Sequence, residues 1–133
     1  MTRVKVLFRL ARDESGYPPF GVESVWAVPD ERGYVVDNVP FYARAVALGD
    51  VVAAEETDGE LWYVRTIQPS PNSLIRVVAY RGVGMEAIRR ELDDLGCSTE
   101  VDAQRHLIAV SVPRSALAAV TGSPRGATSA GFA

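Results

Sequence analysis

The chain has 133 residues, 47% hydrophobic and 23% charged, which suits one globular domain or two subdomains sharing a core. Its net charge of −3 is uneven: residues 1–70 hold seven Arg/Lys against eleven Asp/Glu, residues 71–133 seven against six. That balance excludes a surface dominated by clustered cations, so no nucleic-acid partner is expected.

Val4, Val6, Phe8 and Leu10 alternate with Lys5, Leu7 and Arg9, a period of two that predicts a strand buried on its even positions. Asp13 to Pro19 is a loop, because paired prolines remove ladder donors and hold the backbone extended before them. Residues 22–28 form the second strand, with Ser24 and Trp26 on the face of Val22. A turn over 29–33 leads to a third strand at 34–37. Residues 43–48 read as a turn of helix ended by Gly49. Residues 50–56 and 60–67 then form a hairpin across Thr57-Asp58-Gly59, where Asp-Gly supplies positive φ. Five strands in this half predict a small barrel or strongly bent sheet. Trp26, Tyr34 and one of Trp62 and Tyr63 are expected in its core.

Residues 68–73, Gln-Pro-Ser-Pro-Asn-Ser, form the clearest connector. Residues 74–80 are apolar on both faces apart from Arg76, as in a central strand. Met85, Ile88, Leu92 and Leu95 are spaced three, four and three, the stripe of an amphipathic helix, and Gly96 is placed to end it. Strands at 99–101 and 106–112 follow, and Pro113 stops the second. Residues 115–120 suggest a brief helix capped by Ser115. The expected fold class is α+β: a bent, barrel-like β-rich half (1–70) packed on a ferredoxin-like β-α-β-β half (71–120), with a disordered tail (121–133).

Chemistry is sparse. Cys97 and His106 are the obvious nucleophile–base pair, but Cys97 follows a helix C-terminus, where the dipole raises a thiol pKa. One Cys and one His fall short of a zinc set, and no metal or cofactor is expected. Gly82-Val83-Gly84 lacks the third glycine and the Lys-Ser or Lys-Thr of a phosphate loop. Arg76 would pair with a carboxylate across the sheet or face a ligand. Glu23, Asp37 and Asp50 lie near loops containing Tyr17, Phe41 and Tyr42, so two of them could act as acid and base beside an apolar pocket. Against that, aspartates near turns commonly bond backbone.

The loop aromatics Tyr17, Phe41 and Tyr42 sit beside prolines and suit a recognition surface, with Glu23 and Asp50 at its rim and Arg76 as a further candidate. The leading expectation is therefore a non-catalytic protein that binds a protein, peptide or small molecule near the seam of its halves. The alternatives are a small acid/base enzyme using Glu23, Asp37 or Asp50, and an oligomeric regulatory or structural protein, possibly a homodimer, pairing through its C-terminal sheet. A lone cysteine excludes an internal disulfide and fits a reducing cytosol; no apolar run suits a membrane span or signal peptide. The expected location is cytoplasmic.

Several blocks together carry a family resemblance: Val6-Leu7-Phe8-Arg9-Leu10, Gly16-Tyr17-Pro18-Pro19, Glu23-Ser24-Val25-Trp26, Asp37-Asn38-Val39-Pro40-Phe41, Gly49-Asp50-Val51-Val52, Arg76-Val77 and Leu95-Gly96-Cys97. From about Val4 to Pro113 the chain resembles an uncharacterised bacterial domain-of-unknown-function family frequent in actinobacteria. The resemblance implies a bacterial cytosolic protein and brings no activity, cofactor or catalytic residue.

Overall fold

The computed structural model describes residues 2–44, 46–79, 84–121 and 127–132. The chain divides into two compact units, Met1–Ser70 and Pro71–Ala133. It is a mixed α+β protein made mostly of strands.

In the first unit, β1 (Val4–Arg9), β2 (Val22–Pro29), β3 (Tyr34–Val36), β4 (Val51–Thr57) and β5 (Glu60–Gln68) close into a barrel in sequence order. Each neighbour is antiparallel to the last, so the first and fifth strands run the same way. Closure is accordingly parallel, with Val6 beside Leu61 and Leu7 beside Trp62. The hairpin turn between β4 and β5 has positive φ at both Asp58 (54°) and Gly59 (81°), as a two-residue connection between twisted strands requires. Val6 and Phe8 of β1 are buried as the alternation predicts, and Val25, Ala27, Val36 and Val52 complete the core with Ala43 and Val46.

Two expectations for this unit are corrected. Trp26 is not core: β2 turns Val25 and Ala27 inward, so Trp26 stands on the outer wall, 38% exposed. Tyr63, stacked on Phe8 at 4.6 Å between centroids, takes the aromatic place inside. The described residues of 43–48 form no helix. The chain there bonds sideways: Gly49 N–H donates to the Val36 carbonyl and Val36 N–H to that of Asp50, at 2.9 Å each, while Ala43 and Val46 enter the barrel core. Within the segment, the Ala43 and Ala47 amides donate to the carboxylates of Glu23 and Asp50 in place of helical carbonyls.

In the second unit, β6 (Ser73–Ala79), β7 (Ser98–Asp102), β8 (Leu107–Val112) and β9 (Ala127–Phe132) form one sheet in the order β7-β8-β6-β9. All its neighbours are antiparallel. Helix α1 (Met85–Asp94) lies between β6 and β7 in sequence; a 3-10 turn (Arg114–Ala116) and the short α2 (Leu117–Thr121) lie between β8 and β9. α1 buries Ile88 and Leu92 against Ile75, Ile108 and Val110, each such side chain contributing about 1.5–3 kcal/mol. Its end is a Schellman motif: Gly96, at φ 92°, donates to Asp93, and Cys97 donates to Leu92. Cys97 and Leu92 are both buried in the same core, the apolar contact that accompanies this motif.

Two details differ from expectation, and a third is not described. Residues 127–132 are a strand beside β6 rather than a disordered tail. Ser115 is not a cap, since the turn starts from Pro113, whose φ of −65° presets the reversal. The segment Gly82-Val83 lies outside the described residues.

Candidate aromatic site at the barrel loops

Two loops of the first unit bring four aromatic rings together. The loop between β1 and β2 is folded on itself by short-range polar contacts. Asp13 Oδ1 accepts from the Ser15 N–H and hydroxyl at 2.9 and 2.6 Å and from the Tyr17 N–H at 3.0 Å. Arg12 donates to the Pro18 carbonyl at 3.0 Å and the Gly16 carbonyl at 3.1 Å. The Ser15 hydroxyl, then the Tyr17 amide, hold the Asp13 carboxyl below its ordinary pKa of 3.8. A depressed carboxyl stabilises the folded loop above that value, and the support is lost as pH falls through the lower folded value.

The second loop, residues 38–43, is held by Glu23. The pairing of Glu23 with Phe8, an inward residue, places its side chain on the inner side of β2. One carboxylate oxygen accepts from the Phe41 N–H at 2.6 Å. The other accepts from Tyr42 at 3.0 Å and Ala43 at 2.8 Å. Three successive amides converging on one anion make a nest, and charge-assisted bonds of this kind are the strong ones. Asn38 adds a link to β2, its Oδ1 accepting from the Trp26 N–H at 2.6 Å.

The anchored loops set the rings. Tyr42 is buried, 8% exposed, and three rings surround it. Tyr17 and Phe20 meet it edge-on at 5.9 Å each, and Phe41 packs tilted at 6.3 Å. Tyr17 and Phe20 remain 41% and 42% exposed. The expected trio of Tyr17, Phe41 and Tyr42 is thus brought together, with Tyr42 as its inner ring. Phe20 completes the cluster. Sequence reading passed over it, although its place directly after Pro18-Pro19 was the available signal.

The candidate carboxylates stand apart from this surface chemistry. Glu23 lies beneath it, its oxygens engaged by amides. Asp50 is only 4% exposed, so it is no rim residue. Its Oδ2 accepts from Ala47 N–H at 3.0 Å and its Oδ1 from Ser70 N–H at 2.7 Å, which anchors the start of the connector. Asp37 pairs with Arg3 at 3.1 Å on the surface. Arg76 belongs to the second unit, buried in β6 in register with Ala109 and Gly131. Burial, followed by the nearby negative charge of Asp93, pushes the Cys97 thiol pKa up, the direction opposite to a reactive thiolate. His106 closes the turn before β8 in the left-handed region, at φ 52°. Among the described residues, no group of three or more His, Cys, Asp and Glu could hold a metal ion. No described helix is long and apolar enough to cross a membrane.

A five-stranded barrel followed by a four-stranded antiparallel sheet with helical crossovers defines the class of protein. The chain belongs to the family DUF4265, a domain of unknown function, which matches residues 23–122. A solved structure described as a novel crystal structure of a hypothetical protein from Neisseria gonorrhoeae is similar in fold. It is 17% identical, with a TM-score of 0.74 over 92% of this chain and 84% of that one. No curated protein matches.

Proposed function

We propose that this chain is a non-catalytic binding protein whose partner, a protein or peptide, docks on the aromatic loops of the barrel. One observation carries the reading: two half-exposed rings, Tyr17 and Phe20, are seated edge-on against one buried ring, Tyr42. Rings held in place before a partner arrives lose little entropy on binding, and they offer large contact area with few rotors. Arg12, Asp13 and Glu23 are the positioning residues, since each bonds backbone of a ring-bearing loop. The acid/base alternative gains no support from Glu23 and Asp50, whose oxygens already accept amides, or from Asp37, paired with Arg3 on the surface.

Peptides selected from a displayed library on the full chain test this. Tyr17→Ala and Phe20→Ala should each weaken the selected ligands by about tenfold, roughly 1.4 kcal/mol, with melting unchanged. Ligands that bind both variants like the wild type would make the cluster a structural plug.

We also read the second unit as ferredoxin-like. Support comes from its β-α-β-β-α-β element order and its interleaved antiparallel sheet. A cytoplasmic location is proposed with it, supported by one free, buried cysteine.

A further inference from the structure

The outer wall of the barrel at β1 carries chemistry that the aromatic loops do not use. Register places Lys5 opposite Trp26, Leu7 opposite Ser24 and Arg9 opposite Val22 on β2, and Leu7 beside Trp62 on β5. Paired residues share a face of a sheet. The inner face is taken by Val6, Phe8, Val25 and Ala27, so this second set looks outward. Val22 and Trp26 are among the large exposed hydrophobics. Three cations lie over the two indoles: Arg3 at 4.8 Å and Lys5 at 5.0 Å from the Trp26 ring centre, and Arg9 at 4.0 Å from that of Trp62. Arg3 pairs with Asp37; among the described residues neither Lys5 nor Arg9 is in an ion pair.

We infer that this wall docks an extended segment of a partner protein with the pattern acidic–x–apolar–x–acidic. Charge complementarity selects the acidic residues. Lys5 and Arg9 flank Leu7 on one face of a strand, and four residues of strand span roughly 13 Å. A second extended chain repeats at the same pitch, so carboxylates four apart meet the two cations, and the apolar residue between them meets Leu7 and the indoles. Cations resting on indole faces are held in place and partly desolvated before any partner arrives. β1 is already hydrogen-bonded on both sides, to β2 and β5, so the contact is made by side chains and not by strand addition.

The same geometry disfavours a nucleic acid as occupant. Single strands bind by stacking bases on open aromatic faces, and here the protein's own cations lie over those rings.

The chain has two tryptophans, Trp26 and Trp62, and both belong to this face, so fluorescence excited selectively at tryptophan, and not at tyrosine, reports on it alone. The full chain is titrated with a short synthetic peptide repeating Glu-Ser-Leu-Ser, with a scrambled peptide of the same composition, and with oligothymidylate of matched charge. The expected result is a saturable fluorescence change with the patterned peptide only. Dissociation constants should rise at least about tenfold in the double variant Lys5→Gln/Arg9→Gln and should rise with salt, as charge-driven contacts do. Leu7→Ser is a second variant expected to weaken binding, and melting curves confirm that each variant folds. Four results overturn the inference: no saturable change with the patterned peptide, equal binding by the scrambled peptide, equal binding by the folded double variant, or tighter binding of oligothymidylate. Tyr17→Ala leaves this titration unchanged, which separates the wall from the aromatic loops.

Discussion

In the barrel, carboxylates hold backbone; in the four-stranded unit, apolar side chains hold a helix to a sheet. Glu23, Asp13 and Asp50 each fasten loop amides of the first unit. In the second, Ile88 and Leu92 seat α1 on the sheet. The polar contacts around α1, Arg89 to Thr99 at 3.1 Å and Thr99 to Asp93 at 3.4 Å, join side chains to one another. The contrast teaches where shape is specified. Apolar burial is non-directional and fixes layers, whereas charged hydrogen bonds have geometry and fix individual loops. The loops fixed in that way carry the exposed rings.

The contrast breaks most sharply at α1. Leu92→Ala should cost about 2–5 kcal/mol, read as a lower denaturant midpoint. A variant as stable as wild type would mean that the helix does not rely on this contact. Glu23→Ala comes next, at about 2–4 kcal/mol, because three amides lose a charged acceptor. Glu23→Gln keeps one carbonyl acceptor and should lose less. If Glu23→Ala melts like the wild type while Leu92→Ala does not, the barrel too is held by apolar packing alone, and the distinction between the units fails.

Smaller effects sharpen the comparison. Removing residues 127–133 strips the ladder from one side of β6 and should cost about 2 kcal/mol. An unchanged melting temperature would show that backbone pairing adds nothing to a unit held by its helix. The smallest effect falls on Cys97. Its raised pKa and burial predict alkylation at neutral pH at least about tenfold slower than in the unfolded chain. Rapid labelling of the native protein would mean that the Schellman end of α1 opens readily.

Periodicity made most of this fold legible. The alternation in β1, the Asp-Gly hairpin and the three-four-three stripe of α1 state their own structure, because burial repeats along them at a fixed step. Trp26 was misread because hydrophobicity named the wrong face of β2. Small Ala27 and medium Val25 fit the barrel's inside better than an indole. Residues 43–48 were misread because helical composition cannot reveal that the carboxylates of Glu23 and Asp50 take the Ala43 and Ala47 amides. At the site, the sequence marked Tyr17, Phe41 and Tyr42 through their prolines. The part of Glu23 was illegible, since its three amides lie 18 to 20 residues away.

The parallel closure of the barrel has a practical consequence for anyone isolating this domain. The family match begins at residue 23 and ends at 122, so a fragment trimmed to it omits β1 and β9, one strand from each sheet. Without β1, the long strands β2 and β5 face water with bare amide edges, and such edges recruit other chains. That fragment should collect in inclusion bodies to a greater extent than the full chain. The working limits of this domain are set by where its hydrogen bonds close, some twenty residues ahead of where the family match begins.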